Sequence, residues 1–180
     1  QSCPIADGAS AIVLCSESMG RRIGARVKVR ASILRTGGYA NPQDLARWHT
    51  DYEGVRMAYE QAGIGPEDLD VVECHDAFSI AEIMHYEALG LCPPGEGGHF
   101  VESGAAALGG AHPVNVSGGL LSRGHPVGAT GVEQIVELTL QLQGRAGKRQ
   151  VNGARTGLAH CMGGDHAADT KSMTAMVLSI

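Results

Sequence analysis

The sequence predicts an α/β domain, a mixed five-stranded sheet with helices on its faces. Short apolar, β-branched runs alternate with stretches of helical period, and glycines or capping residues fall where one gives way to the other. Glycine is abundant at 26 residues while aromatics make up 4%, which suits a tight-turned scaffold in which backbones approach closely. With 43% hydrophobic and 18% charged residues over 180 positions, the composition is that of one globular domain and excludes a disordered or fibrous chain.

Taken in order, the run Ala9-Ser10-Ala11-Ile12-Val13-Leu14-Cys15 predicts a strand covered on both faces, followed by a short helix over about 16–23. Val27 to Leu34 alternates apolar and polar residues as a half-buried strand does, and Gly37-Gly38 ends it. Between Leu45 and Ala62, positions Tyr52, Val55, Ala58, Tyr59 and Ala62 recur at helical spacing, with Gly63 placed to cap the end. Leu69 to Cys74 reads as a strand, and Ser79-Ile80-Ala81-Glu82 as a capping box opening a helix through about Leu89. Val114-Asn115-Val116 predicts a short strand, a Gly-rich loop spans Ser117 to Gly131, and a helix runs on to about Leu142. In that helix Val132, Ile135, Val136, Thr139 and Leu142 share one face. Gly153 to His160 and Met173 to Ile180 close the sheet as two strands joined by the polar stretch Gly163 to Ser172.

Charge and cysteine usage narrow the function. A net charge of −5 with no long Lys/Arg cluster excludes nucleic-acid binding. Five cysteines at irregular spacing form neither a disulfide framework nor a metal-binding pair, which implies a reducing compartment and no metal. No apolar run approaches the roughly 20 residues that cross a bilayer, so a soluble chain is expected. The first residue is Gln1 and a strand-like run begins within ten residues, so upstream sequence is expected, the chain being a fragment, a processed half or a separate subunit.

Three segments concentrate chemistry: Val72-Glu73-Cys74-His75-Asp76-Ala77-Phe78, the stretch Asn115 to Gly131 containing Gly124-His125-Pro126, and His160-Cys161-Met162-Gly163-Gly164. Glycines in a loop that opens a helix let backbone N–H groups approach a developing oxyanion, and the helix terminus adds positive potential. His125 stands beside that field, and Pro126 fixes φ directly after it. Each residue alone has a plainer reading: a surface hydrogen-bonding histidine, a helix-entry histidine at 75, a small buried thiol at 161. In an α/β sheet, however, all three fall toward the carboxyl ends of strands, where reactive groups gather.

Together these segments resemble the thiolase superfamily, from Asp7 to Gly164. Thiolases close their N-terminal half with an Asp-Gly-Ala-Ala-Ala strand, matched by Asp7-Gly8-Ala9-Ser10-Ala11, and their C-terminal half carries Asn-Glu-Ala-Phe, Gly-His-Pro and Cys-x-Gly motifs in that order. His75-Asp76-Ala77-Phe78 in the first of these places, with Tyr86 to Pro93 and Gly147 to Val151, resembles the sterol-carrier-protein type thiolases and related lipid-transfer proteins. The resemblance implies a thiolase-like fold, residues 1–25 ending the N-terminal half and 26–180 forming the C-terminal domain.

It also implies an acyl-CoA acyltransferase that cleaves 3-ketoacyl-CoA with coenzyme A, or runs the reverse Claisen condensation. A nucleophilic cysteine in the other half would form an acyl-enzyme. His125 would take its proton, and Cys161 would act as acid and base at the α-carbon. His75 stands where an asparagine orients a water at the first oxyanion hole, and the backbone N–H of Gly163 would serve the second. Ser117, Gly118, Gly124 and Phe78 are the implied contacts for coenzyme A or the acyl chain. Such chemistry needs an activated thiolate and fixed donors at the thioester oxygen. No cysteine here lies in a segment resembling the nucleophile's, so the chain alone is expected to be inactive.

The expected partners are acyl-CoA and coenzyme A as substrates with no other cofactor, the N-terminal thiolase half in the same or another chain, and further copies in a dimer or tetramer. The expected location is cytoplasmic, or peroxisomal in a eukaryote, although no C-terminal targeting tripeptide is present. Three rival readings stay open. A cysteine with two histidines also resembles the ketoacyl synthases, a thiolase-like aldolase would pair with a small OB-fold subunit, and a lipid or acyl-CoA carrier would keep the fold without turnover.

Overall fold

A computed structural model describes residues 1–38, 44–166 and 169–180, without the side chains at 165, 166 and 169. Among them, four strands form one mixed sheet: β1 (Lys28–Arg35), β2 (Val71–Glu73), β3 (Thr156–His166) and β4 (Asp169–Ser179), in spatial order β1-β4-β3-β2. β4 runs antiparallel to both β1 and β3, while β2 lies parallel to β3. The expected fifth strand at 114–116 is reduced to a single bridge between Val114 and Val72. Pro113 has no N–H to give a ladder, and Asn115 turns to φ 51, which carries the chain away from β2.

The run Ala9–Cys15 forms no strand. No described segment pairs with its backbone, and a strand without a neighbour leaves its N–H and C=O groups to solvent. Val13 is accordingly 95% exposed, the opposite of the two-sided cover its composition suggests. At the other end of the chain the strands run further than expected. Pairing of β3 with β4 continues through Gly163↔Ser172 to His166↔Asp169, so most of the polar stretch Gly163 to Ser172 is ladder rather than loop, because backbone pairing is indifferent to side-chain polarity. Positions 167 and 168 of that stretch lie outside the described residues.

The helices are α1 (Glu17–Ile23), α2 (His49–Ala62), α3 (Ser79–Ala88), α4 (Gly97–Glu102), α5 (Gly119–Arg123) and α6 (Thr130–Leu142). Ser16 caps α1 by accepting from Met19 N, and Gly63 ends α2 in the left-handed region at φ 70, as its position implies. The capping box at Ser79 does not form. Phe78 occupies the N-cap, Ser79 Oγ accepts from Gln1 N, and Glu82 Oε1 accepts from Asn115 Nδ2. The short α4 and α5 carry no periodic apolar signal and are not expected from the sequence.

Two cores lie on opposite faces of the sheet. Val55 and Ala58 of α2 and Tyr86 of α3 pack with Leu158, Met173 and Val177 on one face. Ile135, Leu138 and Leu142 of α6 pack with Val71, Ala159 and Leu178 on the other. Leu158 and Ala159 thus alternate between the two, as successive residues of a strand must. The inward face of α6 differs from the apolar stripe expected: Gln134 and Gln141 are buried while Val132, Val136 and Thr139 are only half-buried. Both glutamines bond on burial through Nε2, Gln134 donating to His160 O and Gln141 to Arg149 O. Leu138 is fully buried, with Cδ2 beside Gly157 of β3. Leu138→Ala is expected to lower stability by about 3 kcal/mol, a loss of transfer energy plus an unfilled cavity, read as the shift in denaturant midpoint.

Candidate functional site

β2 ends at Glu73, and the chain reaches α3 through Cys74–Phe78, so His75 sits at the carboxyl end of a strand. On either side of it stand two buried acids. Glu73 Oε2 accepts from Ser117 Oγ at 2.6 Å and Oε1 from Ser117 N at 3.2 Å. Asp76 accepts from Leu120 N at 2.7 Å and Leu121 N at 3.2 Å, at the start of α5. Gly119, at φ 60, is required there, because a Cβ would overlap the Asp76 carboxylate. Asn115 adds a third tie, accepting from Cys74 N at 2.8 Å. The turn that carries His75 and the loop that carries His125 are therefore locked to each other. Residues 1–4 strap them from outside: Cys3 N donates to Ala77 O and His125 N to Pro4 O.

These ties bring the three expected catalytic side chains together. The His75 and His125 rings meet edge to face with centroids 5.0 Å apart. Cys161 Sγ lies 3.5 Å from His75 Nδ1, on the α6 side of β3 and beside Gly131. Burial, reinforced by the neighbouring His160, His125 and His85, pushes His75 down to about 3, and burial pushes the Cys161 thiol up to about 11. At neutral pH the pair is a neutral imidazole and a thiol, whose S–H has two acceptors in reach, His75 Nδ1 at 3.5 Å and the Met162 carbonyl at 3.9 Å. When Nδ1, the nearer, accepts it, the proton of His75 is on Nε2.

His125 carries the opposite tautomer. Thr130 Oγ1 gives its proton to Pro126 O, so it accepts from His125 Nδ1–H at 2.8 Å and leaves Nε2 as a free lone pair. Burial lowers this histidine too, against the raising influence of Asp76, which keeps the lone pair available.

A cavity of about 420 Å³ opens beside the cluster, lined by Trp48, His75, Phe78, His85, Met162 and Gly163 among others, and largely apolar. Gly163 and Phe78, both expected contacts, share it with His75. Ser117, Gly118 and Gly124 are placed elsewhere: Ser117 is engaged by Glu73, Gly118 is the N-cap of α5 and Gly124 its C-cap. Behind the cavity a second group, with no role in the sequence reading, converges on Asp51: His85 Nδ1 at 2.8 Å and His160 Nε2 at 2.8 Å. His160 belongs to a segment that sequence reading singles out. Asp51 has only the look of an ordinary acid in a first helical turn.

The family described as thiolase C-terminal domain-like matches residues 36–178. The chain belongs to the thiolase family. It is similar to the benzoylsuccinyl-CoA thiolase subunit BbsB of Thauera aromatica, 45% identical over 168 residues that cover 91% of this chain and 44% of that protein. It is similar also to sterol carrier protein 2 of Rattus norvegicus, 42% identical with coverage of 91% and 31%, and to an acetyl-CoA acetyltransferase of Methanothermobacter thermautotrophicus, 45% identical with coverage of 89% and 43%. This thiolase domain thus spans less than half the length of these relatives. A solved Ltp2-ChsH2(DUF35) aldolase shares the fold with a TM-score of 0.71 at 20% identity, covering 83% of this chain and 39% of that one.

Among the described residues of the thiolase domain no helix is long and apolar enough to cross a membrane. Burial raises Glu73 from 4.5 to about 7, against the lowering effect of its Ser117 bonds and of Arg123, whose NH2 lies 3.8 Å away. Between those two values the folded domain holds a proton that the unfolded chain has released. Stability therefore falls as pH rises from about 4.5 to about 7, by about 3 kcal/mol. Glu73→Gln is expected to flatten that fall, as measured by denaturant midpoints of both proteins across the window.

Proposed function

We propose that the full-length protein is a thiolase that cleaves 3-ketoacyl-CoA with coenzyme A, this domain supplying His125, His75 and Cys161. The observation that carries the reading is the contact of Cys161 Sγ with His75 Nδ1 at 3.5 Å, one ring away from His125. The similarity to a thiolase subunit and to an acetyl-CoA acetyltransferase supports it.

In this scheme His125 Nε2 takes the proton of a cysteine in the N-terminal half, and that thiolate adds to the 3-keto carbon. The C2–C3 bond breaks, its electron pair passing to the enolate of the departing acyl-CoA, and the 3-acyl group stays on sulfur as a thioester. Cys161 gives its S–H proton to C2. Its thiolate then takes the proton of incoming coenzyme A, whose sulfur attacks the acyl-enzyme and releases the nucleophilic cysteine. His75 Nε2–H is a donor for a thioester oxygen, a neutral imidazole in place of an oriented water, and the backbone N–H of Gly163 is the second donor. Each such donor is worth on the order of 100-fold in rate.

The resting protonation suits the cleavage step. Cys161 stands as a thiol at neutral pH, the acid form that an enolate leaving group needs. Coenzyme A is then a substrate, and the chemistry requires no other cofactor. Exposed apolar residues near the start of the chain, Val13, Leu14 and Ile23, are the surface proposed to meet the N-terminal half.

Cys161→Ala in the full-length protein is expected to lower thiolysis by at least about 100-fold while acyl-enzyme still forms from a simple acyl-CoA, detected by intact-protein mass. Unchanged thiolysis in that variant would remove Cys161 from the mechanism. Efficient decarboxylation of malonyl-CoA by the unsubstituted protein would mark a synthase, and retro-aldol release of an aldehyde without coenzyme A would mark an aldolase.

A further inference from the structure

We infer that Asp51 is a positioning residue, one buried carboxylate that fixes the separation of His75 and Cys161 by bracing the His75 backbone through His85 and seating the side chain of His160, the residue before Cys161. Asp51, His85 and His160 are 1%, 1% and 0% exposed and come from α2, α3 and β3. From one oxygen a chain of contacts leads to the imidazole: Asp51 Oδ2 is 2.8 Å from His85 Nδ1, and His85 Nε2 is 3.1 Å from the carbonyl of His75. From the other it leads to the thiol: Asp51 Oδ1 is 2.8 Å from Nε2 of His160, the residue bonded to Cys161.

In the first chain both partners of the ring are acceptors, a carboxylate and a carbonyl, so His85 is clamped between Asp51 and the main chain of His75. Burial by itself would raise the Asp51 carboxyl, but His160 and His85 reverse that and hold it well below the usual range, ionised. The second chain is close but less well directed. Asp51 Oδ1 and His160 Nε2 lack hydrogen-bond geometry despite their separation, and a bond from Gln134 Nε2 to the His160 carbonyl, 2.9 Å, completes the hold on β3.

None of these groups needs to touch substrate for the arrangement to matter. His75 Nδ1 and Cys161 Sγ are 3.5 Å apart, and a displacement of about 1 Å in such a pair can cost on the order of 100-fold in rate. The inference concerns the residues assigned to acid–base work above and rests on that assignment, so its test includes a readout that needs no turnover.

In the full-length protein, Asp51→Asn and His85→Gln are compared with the unsubstituted enzyme by thiolysis kinetics and by the rate at which iodoacetamide alkylates Cys161 across pH, resolved from the other cysteines by peptide mass. Asp51→Asn is expected to lower kcat about 100-fold with KM changed less than threefold. The alkylation profile should also move to lower pH, as the sulfur loses its fixed acceptor and its cover. His85→Gln keeps an N–H aimed at the His75 carbonyl and should stay within about tenfold of the unsubstituted kcat.

An alkylation profile unmoved in both variants would overturn the inference, whatever happens to kcat, by leaving Asp51 a role in stability alone. Should Asp51→Asn fail to fold, the His85→Gln profile against His85→Leu decides, with the leucine variant alone shifted as the supporting result. The three ligand atoms also lie within 4.8 Å of one another, close enough to share a divalent cation. Stoichiometric metal in the purified enzyme, absent from Asp51→Asn, would overturn positioning in favour of coordination. An enzyme that lacks thiolysis altogether but shows the shifted profile would sink the proposed function and leave the positioning inference standing.

Discussion

Two buried carboxylates on either side of one histidine hold the site together. Glu73 and Asp76 accept from backbone and side-chain donors between Ser117 and Leu121, so the loop bearing His125 is built onto the turn bearing His75. Neither acid lines the cavity. Their burial is costly on its own and is offset by the donors they collect, which is why the loop cannot move without leaving an acceptor unsatisfied. The arrangement gives His125 a fixed position even though its loop is rich in glycine. The strap formed by residues 1–4 reinforces this with main-chain bonds from Cys3 to Ala77 and from His125 to Pro4.

The sheet contributes the third member. β3 is long, paired on both sides at its start, and rigid where Leu158 and Ala159 enter the two cores. Its continuation brings Cys161 to the histidines from the α6 side while His160 turns to the layer of α2 and α3. A scaffold of opposed helical layers thereby gives Cys161 one face of the sheet and the Asp51–His85–His160 group the other.

Much of this was legible in the residues. Tyr52, Val55, Ala58 and Ala62 mark α2 because its buried stripe is a local property, and His75, His125 and Cys161 stand out because each lies in a segment dense with glycine or with uncommon neighbours. What was not legible depends on distant partners. The five residues of α5 begin with glycine and owe their first turn to Asp76, an acceptor from another loop. Val114 looks like a strand and is turned aside by the positive φ of Asn115, itself held by contacts to Cys74 and Glu82. Asp51 and His85 sit on different helices, and nothing in either helix announces that the sheet will set them side by side.

The alternation along β3 has a consequence for how this segment can change over time. Because neighbouring side chains leave a strand on opposite faces, a single-residue insertion between Leu158 and His160 would exchange the sulfur and the imidazole, sending the thiol toward Asp51 and His85 and the His160 ring toward α6. Length cannot drift by one, which makes this stretch a fixed ruler within an otherwise loop-tolerant domain.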